Sequence, residues 1–472
     1  MLSALPAELL LMIASHLDDH LDTLYLAYCC HAFYPLLLPK VFTSLDLLEH
    51  RNGHLSHLTH TLGSDKKLAN EVRTLRAYPG WRRTSRVRYD QSIMQPRLVA
   101  ILGPDDSLPD WERELQNRDS SEAWLCVLLH LLPNLENFHM EVHEPSDYAP
   151  LSMLHRISLS YTDKRPGLNL LPLSNLRDIS LEWWFTDGSI GMDRVLPLFY
   201  LPSLRTFTGK MISEGAGHEV FGDEDFDARA YVPANAGYSN VTHITLWMSS
   251  SWTGFADLIH APKRLESFVF EHSNEPNDIS GDNIYSSRFH PPLYRHRESL
   301  QELVLTYDDC TNGGYDDWDF VGSFVEFTAL KKLQLRAVST LAWREEWMDG
   351  SKVSTNSLTD VLPRSLETLI INDMASEHMG ELARGFAQLV SDGNSHCPDL
   401  KYVEIEGNWM SEQQTTEESN MRPRPIPDML PEYASFKETV GSLCASVGVE
   451  FYLRDLHVDD IMEMNRFMSA DQ

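Results

Sequence analysis

The chain has 472 residues, 42% of them hydrophobic and 23% charged, and 69 acidic against 39 basic side chains give it a formal charge of -30. That length exceeds one compact core, so several domains or a repeat array are expected, and so acidic a surface repels a phosphate backbone and speaks against nucleic acid as a general partner. The longest purely apolar run of the opening helix, Leu9 to Ala14, falls far short of the roughly 20 residues of a membrane span, and no Lys or Arg precedes Leu17 as a secretory signal would require. The expectation is an intracellular chain of the cytoplasm and/or nucleus, with no membrane contact.

The first element is "LPAELLLMIASHL", Leu5 to Leu17. Pro6 suits the first turn of a helix, where its missing N–H is not needed, and the helix is expected to run to about Leu17. Leu9, Leu10, Leu11, Met12, Ile13, Ala14 and Leu17 sweep out more than half of its circumference, where an ordinary surface helix carries only a stripe. One side can pack inward; the other calls for a protein partner. Asp18, Asp19 and His20 form a turn, and Asp22 caps a second helix bearing Leu24, Leu26, Ala27, Cys30 and Phe33 at near-helical spacing. Pro35 and Pro39 punctuate a third, short piece. Such a unit is too small to hold a core alone.

These residues carry a resemblance. Leu5-Pro6, Glu8, Leu9, Leu10, Ile13, Leu17, a polar turn, Leu24, Leu26, Cys30 and Phe33 resemble an F-box of the form common in fungal proteins, with His31-Ala32 where a basic residue usually stands. The resemblance covers residues 1–45 and implies binding to the Skp adaptor, and through it to the cullin, of a ubiquitin ligase, with Leu5, Pro6, Leu9, Leu10, Ile13, Leu17, Leu24, Leu26, Cys30 and Phe33 as the contact set.

Next, "HRNGHLSHLTH" spaces His50, His54, His57 and His60 so that they could share a helix face; a solvent-facing cluster is the expectation, with no metal site. "VRTLRAYPGWRRTSRVR" follows, with Val72, Leu75 and Ala77 suggesting a first strand and Arg73, Arg76, Arg82, Arg83, Arg86 and Arg88 suggesting either a phosphate-binding patch or internal pairing with the surplus of carboxylates. "SSEAWLCVLLHLL" reads as a helix.

From Leu135 onward the template Leu-x-x-Leu-x-Leu recurs in "LENFHM", "LHRISL", "LRDISL", "LRTFTG", "VTHITL", "LESFVF", "LQELVL", "LKKLQL", "LETLII" and "LKYVEI". Helix-compatible stretches separate these strands, among them "MDRVLPLFY", "SWTGFADLIHA", "FVGSFVEFT" and "HMGELARGFAQLVSDG". The pattern resembles leucine-rich repeats, with start-to-start spacings of 19 to 37 that run looser than usual. The expected class is therefore α/β: a three-helix F-box followed, over residues 46–472, by an irregular leucine-rich-repeat-like solenoid of parallel strands with helices on the convex side. Residues Ser213 to Asn235 and 407 to 430 read as loops, and "YASFKETVGSLCASVGVEFYL" as a closing helix, Gly stop and strand.

Strand side chains alternate, so residues between the core positions line one sheet surface. Those outward positions include Ser180, Glu182, Trp184, Thr245, Trp247, Val269, Glu271, Gln334, Arg336, Glu404 and Glu406. Glu182, Trp184, Trp247, Glu271, Arg336 and Glu404 are the candidate contacts for a target protein, with the two tryptophans, taken to stand on neighbouring strands, as anchors. The six cysteines fit neither a disulfide framework nor a zinc spacing. "YDDCTNGGYDDWDF" lacks the register of a calcium loop, and the Asn240-Val241-Thr242 sequon is expected to be unused. No G-x-S-x-G, H-E-x-x-H, P-loop or G-x-G-x-x-G occurs. The expectation is a non-catalytic substrate adaptor of an SCF-type ligase, without a cofactor, whose target is unidentified; the alternative is a scaffold that binds protein without directing degradation.

Overall fold

The computed structural model describes residues 5–17, 20–47, 55–77, 89–102, 108–116, 121–142, 148–162, 172–184, 188–214, 236–273, 285–307, 319–345, 352–391, 396–407 and 429–455. The chain forms two units, Met1–Thr242 with Ala261–Lys263, and His243–His260 with Arg264–Gln472.

The first unit opens with three helices, α1 (Ala7–Ser15), α2 (His20–Tyr28) and α3 (Tyr34–Val41). There follow β1 (Ser44–Asp46), α4 (Leu55–Ser64), α5 (Lys66–Glu71), β2 (Thr74–Ala77), α6 (Gln91–Leu102), α7 (Leu108–Gln116), α8 (Ser121–Leu131), β3 (Asn137–Val142), α9 (Tyr148–Ser160) and β4 (Asp178–Trp183). It closes with β5 (Ile190–Gly191), α10 (Met192–Val195), β6 (Thr206–Lys210) and β7 (Ile212–Ser213). Strands β1, β2, β3, β4 and β6 pair in that order, all parallel. The register sets Leu75, Phe138, Ile179 and Phe207 side by side, and Met140 beside Leu181 one row on. All six are buried. Helices α4 and α8 pack on one another, and the buried Trp124 of α8 donates its indole N–H to the Leu115 carbonyl of α7 at 3.1 Å.

The second unit runs β8 (His243–Ser249), α11 (Ala256–His260), β9 (Ser267–His272), α12 (His290–Tyr294), β10 (Glu302–Tyr307), β11 (Lys332–Arg336), α13 (Ala337–Thr340), β12 (Trp343–Glu345) and β13 (Lys352–Ser354). It ends with α14 (Leu358–Val361), β14 (Thr368–Met374), α15 (Met379–Ser391), β15 (Tyr402–Gly407), α16 (Pro431–Ser446) and β16 (Glu450–Asp455). Here β8, β9, β10, β11, β14, β15 and β16 form a parallel ladder, while β12 and β13 make a small antiparallel pair. Behind the leucine rows lies a chain of phenylalanines: the Phe270 ring stands 5.7 Å from Phe255 and 4.9 Å from Phe289. Gly448 takes φ +78 after α16, as a helix stop requires, and leads into β16.

One backbone device repeats in both units. Two successive N–H groups at the entry of a strand donate to a single carbonyl of the preceding strand's entry: Glu136 and Asn137 to Arg73 at 2.7 and 2.9 Å, Arg177 and Asp178 to Glu136 at 2.7 and 3.0 Å. In the second unit Lys331 and Lys332 donate to Gln301 at 2.8 and 3.0 Å, and Glu367 and Thr368 to Lys331, both at 2.8 Å. Each repeat thus satisfies the polar groups of the next, which is what makes stacking obligatory.

The α/β class with parallel strands stands as expected from sequence. Two local readings do not. "LHRISL" lies within the helix α9, with Leu154 and Ile157 buried and Leu159 only half-buried. "FVGSFVEFT" is not helical; Val321, Phe324 and Phe327 are buried from an irregular segment whose Gly322 takes φ +121. The first helix stops at Ser15. Among the described residues no helix is long and apolar enough to cross a membrane, and Cys29, Cys30, Cys126, Cys397 and Cys444 are free thiols. Burial pushes Cys397 up to about 12 and Cys444 up to about 11, so neither is a thiolate at neutral pH.

Candidate interaction surfaces

Helices α1 to α3 share a miniature core of Leu10, Ala14, Ala27, Phe33 and Leu37, with Leu5, Leu26, Cys30 and Leu36 packed at its margin. Only Leu10 and Ala14 of α1 are buried. Its remaining apolar side chains, Leu9, Leu11, Met12 and Ile13, are exposed, Met12 by 52%. Four neighbouring apolar side chains held in water are an interaction patch rather than scattered surface residues. Of the ten positions expected to meet an adaptor, Leu10 and Phe33 are buried in the helices' own core. Leu5, Leu17, Leu24, Leu26 and Cys30 are half-buried, and Pro6, Leu9 and Ile13 face solvent. The sequence reading did not single out Tyr25, Tyr28 and Tyr34, which are also exposed; Tyr28 and Tyr34 stack at 5.8 Å. Their signal is an aromatic cluster just outside the helical core positions.

On the first unit's sheet, the residues between the core rows form a polar lattice. Arg76 Nη1 lies 2.8 Å from Asp46 Oδ2, and Lys210 Nζ 2.6 Å from Glu182 Oε1. His139 Nδ1 lies 3.0 Å from Ser180 Oγ on the adjacent strand. Trp184, one residue past β4, is 56% exposed, while its neighbour Trp183 is buried. His139 and Glu141 of β3 were missed in sequence because only later repeats were read for outward positions; the same alternation rule finds them.

In the second unit, Trp247 is 41% exposed beside a break in the β8–β9 register between Leu246 and Ser249. Glu271 pairs in register with Thr306 of β10 and is half-buried. Arg336 Nε binds Asp373 Oδ2 at 2.6 Å, and its guanidinium lies 4.8 Å from the Tyr307 ring centroid. Glu404 accepts the Tyr402 hydroxyl, whose ring stacks on Tyr452 at 5.2 Å. Glu406 accepts from the Asn372 amide. Glu182, Arg336 and Glu404 are thus already engaged within the chain, and the two tryptophans are exposed. The tryptophans are not on neighbouring strands: β4 is flanked by β3 and β6, and Trp247 stands on β8.

The other sequence candidates resolve in part. His57 is exposed and His60 packs 5.4 Å from the Trp124 ring; His50 and His54 lie outside the described residues. Arg73 pairs with Glu136 at 3.4 Å and Arg76 with Asp46, as internal pairing requires, while Arg82, Arg83, Arg86 and Arg88 lie outside the described residues. So do most of "YDDCTNGGYDDWDF" and both long loop segments. The Asn240 amide donates to the Pro202 carbonyl at 2.8 Å and accepts from Lys263 Nζ at 2.9 Å, so the sequon side chain serves the fold. An open depression of about 630 Å³ is lined by Tyr89, Asp90, Gln91, Ser92 and Gln95. Tyr89 donates to Glu112 at 3.0 Å, and burial pushes its phenol above the ordinary range. Within it Asp90 Oδ1 accepts both the Ser92 backbone N–H at 3.1 Å and the Ser92 hydroxyl at 2.6 Å, a local turn at the start of α6.

Compared with known families, residues 101–422 match the family model described as a leucine-rich repeat domain. No curated protein matches the chain.

Proposed function

The chain belongs to the leucine-rich repeat domain family, a protein-binding architecture, and from that premise we propose that it is the substrate-recognition subunit of an SCF-type ubiquitin ligase. In this reading α1 to α3 act as an F-box that docks on a Skp adaptor, and the repeats select a target protein. The observation that carries it is the α1 surface: Leu10 and Ala14 secure the helix to its small core while Leu9, Leu11, Met12 and Ile13 remain in water. A helix that only capped the repeats would turn a polar face outward. Catalysis would be by proximity, with this chain positioning the target and contributing no reacting group.

The test is co-expression of the full chain with a Skp adaptor, followed by size-exclusion chromatography, comparing wild type with Pro6→Ala/Ile13→Asp. Both positions are exposed, so the fold is expected to survive. Burying a side chain such as Ile13 in a partner contributes roughly 1.5–3 kcal/mol, so the charged replacement should weaken the complex by at least about 10- to 100-fold. A stoichiometric complex lost in the variant supports the reading. A folded, monomeric wild type that ignores the adaptor refutes it, and an adaptor complex that never recruits cullin points to a scaffold.

A further inference from the structure

The parallel register of β3 and β4 places Glu141 directly beside Glu182, and His139 beside Ser180. His139 and Glu141 are two residues apart on one strand, so their side chains share a face. One ligating atom from each of His139, Glu141 and Glu182 lies within 4.8 Å of the other two. Like charges directly opposite on paired strands are destabilising, and Lys210 Nζ lies on Glu182 Oε1 at 2.6 Å.

The imidazole sharpens the problem. Its Nδ1 is held by Ser180 Oγ at 3.0 Å. Nε2 is shut off from solvent and has no hydrogen-bond partner among the described residues; Glu141 Oε1 stands 3.8 Å away, beyond hydrogen-bonding reach. In the tautomer whose Nδ1–H donates to Ser180 Oγ, Nε2 presents a lone pair next to two carboxylates. A buried, unsatisfied nitrogen lone pair costs free energy, and a cation between the three groups would satisfy it and relieve the carboxylate repulsion together.

We propose that His139, Glu141 and Glu182 form a binding site for a divalent transition-metal ion. One imidazole nitrogen and two carboxylates make a borderline donor set that suits zinc-like cations, while the imidazole disfavours Mg²⁺ and Ca²⁺. Ser180 is the orienting partner that fixes the ring's tautomer, as histidine ligands require. Three protein ligands leave a coordination position open on the outward face of the sheet, available to water or to a side chain of a bound protein. This site does not depend on the ubiquitin-ligase reading.

The experiment is a Zn²⁺ titration of the full chain after EDTA treatment and buffer exchange, followed by calorimetry and thermal unfolding. One saturable ion should be lost in both His139→Gln and Glu141→Gln, and Tm should rise with Zn²⁺ because the ion binds only the folded site. Mg²⁺ and Ca²⁺ should have no saturable effect. Two milder variants guard against misfolding: Ser180→Ala should weaken Zn²⁺ by about tenfold or more, and Lys210→Met should tighten it by freeing Glu182. Opposite shifts in this pair support the site even if His139→Gln fails to fold. Absence of a saturable ion, binding that survives in a folded His139→Gln, loss instead in His54→Gln/His57→Gln, or no shift in either mild variant overturns the proposal.

Discussion

His155 provides a sharp test of how the first unit is packed. It lies on α9, is almost wholly buried, and donates its Nε2–H to the Arg194 carbonyl. Burial is the largest influence on it, lowering the imidazole pKa from 6.5 to about 3, while the carbonyl partner opposes and the Arg194 charge assists. Since the folded value lies below the unfolded one, the unfolded chain binds the extra proton, and stability is lost as pH falls through 6.5. At pH 5.0 the unfolded imidazole is protonated and the folded one is not, a difference of about 1.5 pH units or about 2 kcal/mol at 1.36 kcal/mol per unit. For a unit of this size that is roughly 4–8 °C in Tm. Burial lowers His296 in the same direction, so acidification alone does not isolate His155. The stability gap between wild type and His155→Gln, measured by urea unfolding at pH 7.5 and 5.0 and constant ionic strength, does. It should shrink by about 2 kcal/mol on acidification. A gap that stays constant would mean that the imidazole titrates normally and that α9 is not buried as described.

Two packing predictions concern the second unit. Phe270→Ala removes a ring that touches both Phe255 and Phe289 in a closed core, and should cost about 3–5 kcal/mol, read as a drop in the urea midpoint; a loss below about 1 kcal/mol would contradict the aromatic packing. Gly254 and Gly448 both take φ +78, but a Cβ on Gly254 would meet the Arg288 carbonyl oxygen at 2.5 Å whereas one on Gly448 meets nothing within 4 Å. Gly448→Ala should therefore cost about 1 kcal/mol for the left-handed backbone alone, and Gly254→Ala at least about twice that; equal losses in thermal unfolding would refute the close approach.

What the sequence made legible follows from periodicity. The repeating template places three side chains per strand on one face, and nine of the ten segments bearing it are strands whose core positions, such as Ile179, Leu303 and Leu369, are buried. The exception is instructive. Leu154 and Ile157 stand three apart, a spacing that serves a strand entry and a helix face equally, and the deciding sixth position, Leu159, is only half-buried. Pro150 in the first turn of α9 was the available helix signal. The segment around Phe324 departs from its helical expectation for a different reason: its φ +121 at Gly322, where a Cβ would strike the His290 ring at 2.5 Å, is a tertiary demand with no local period.

The candidate surfaces were legible as positions but not as states, because a parallel ladder stacks equivalent positions of successive repeats about 4.8 Å apart. At that spacing each outward charge meets its neighbour before it meets a partner protein. The chain mostly resolves this by alternating sign across strands: Asp46 with Arg76, Glu182 with Lys210, Glu302 with Lys332, and Arg336 with Asp373. Alternation consumes many of the charged residues that alternation in the sequence exposes, so Glu182 and Arg336 are built into the sheet before any target arrives. The residues that break the rule are the exposed Trp184 and Trp247, and the carboxylates Glu141 and Glu182, which the register sets side by side with the same sign. In a protein of charge -30, that like-charged pair beside the His139 imidazole is where the proposed cation would bind.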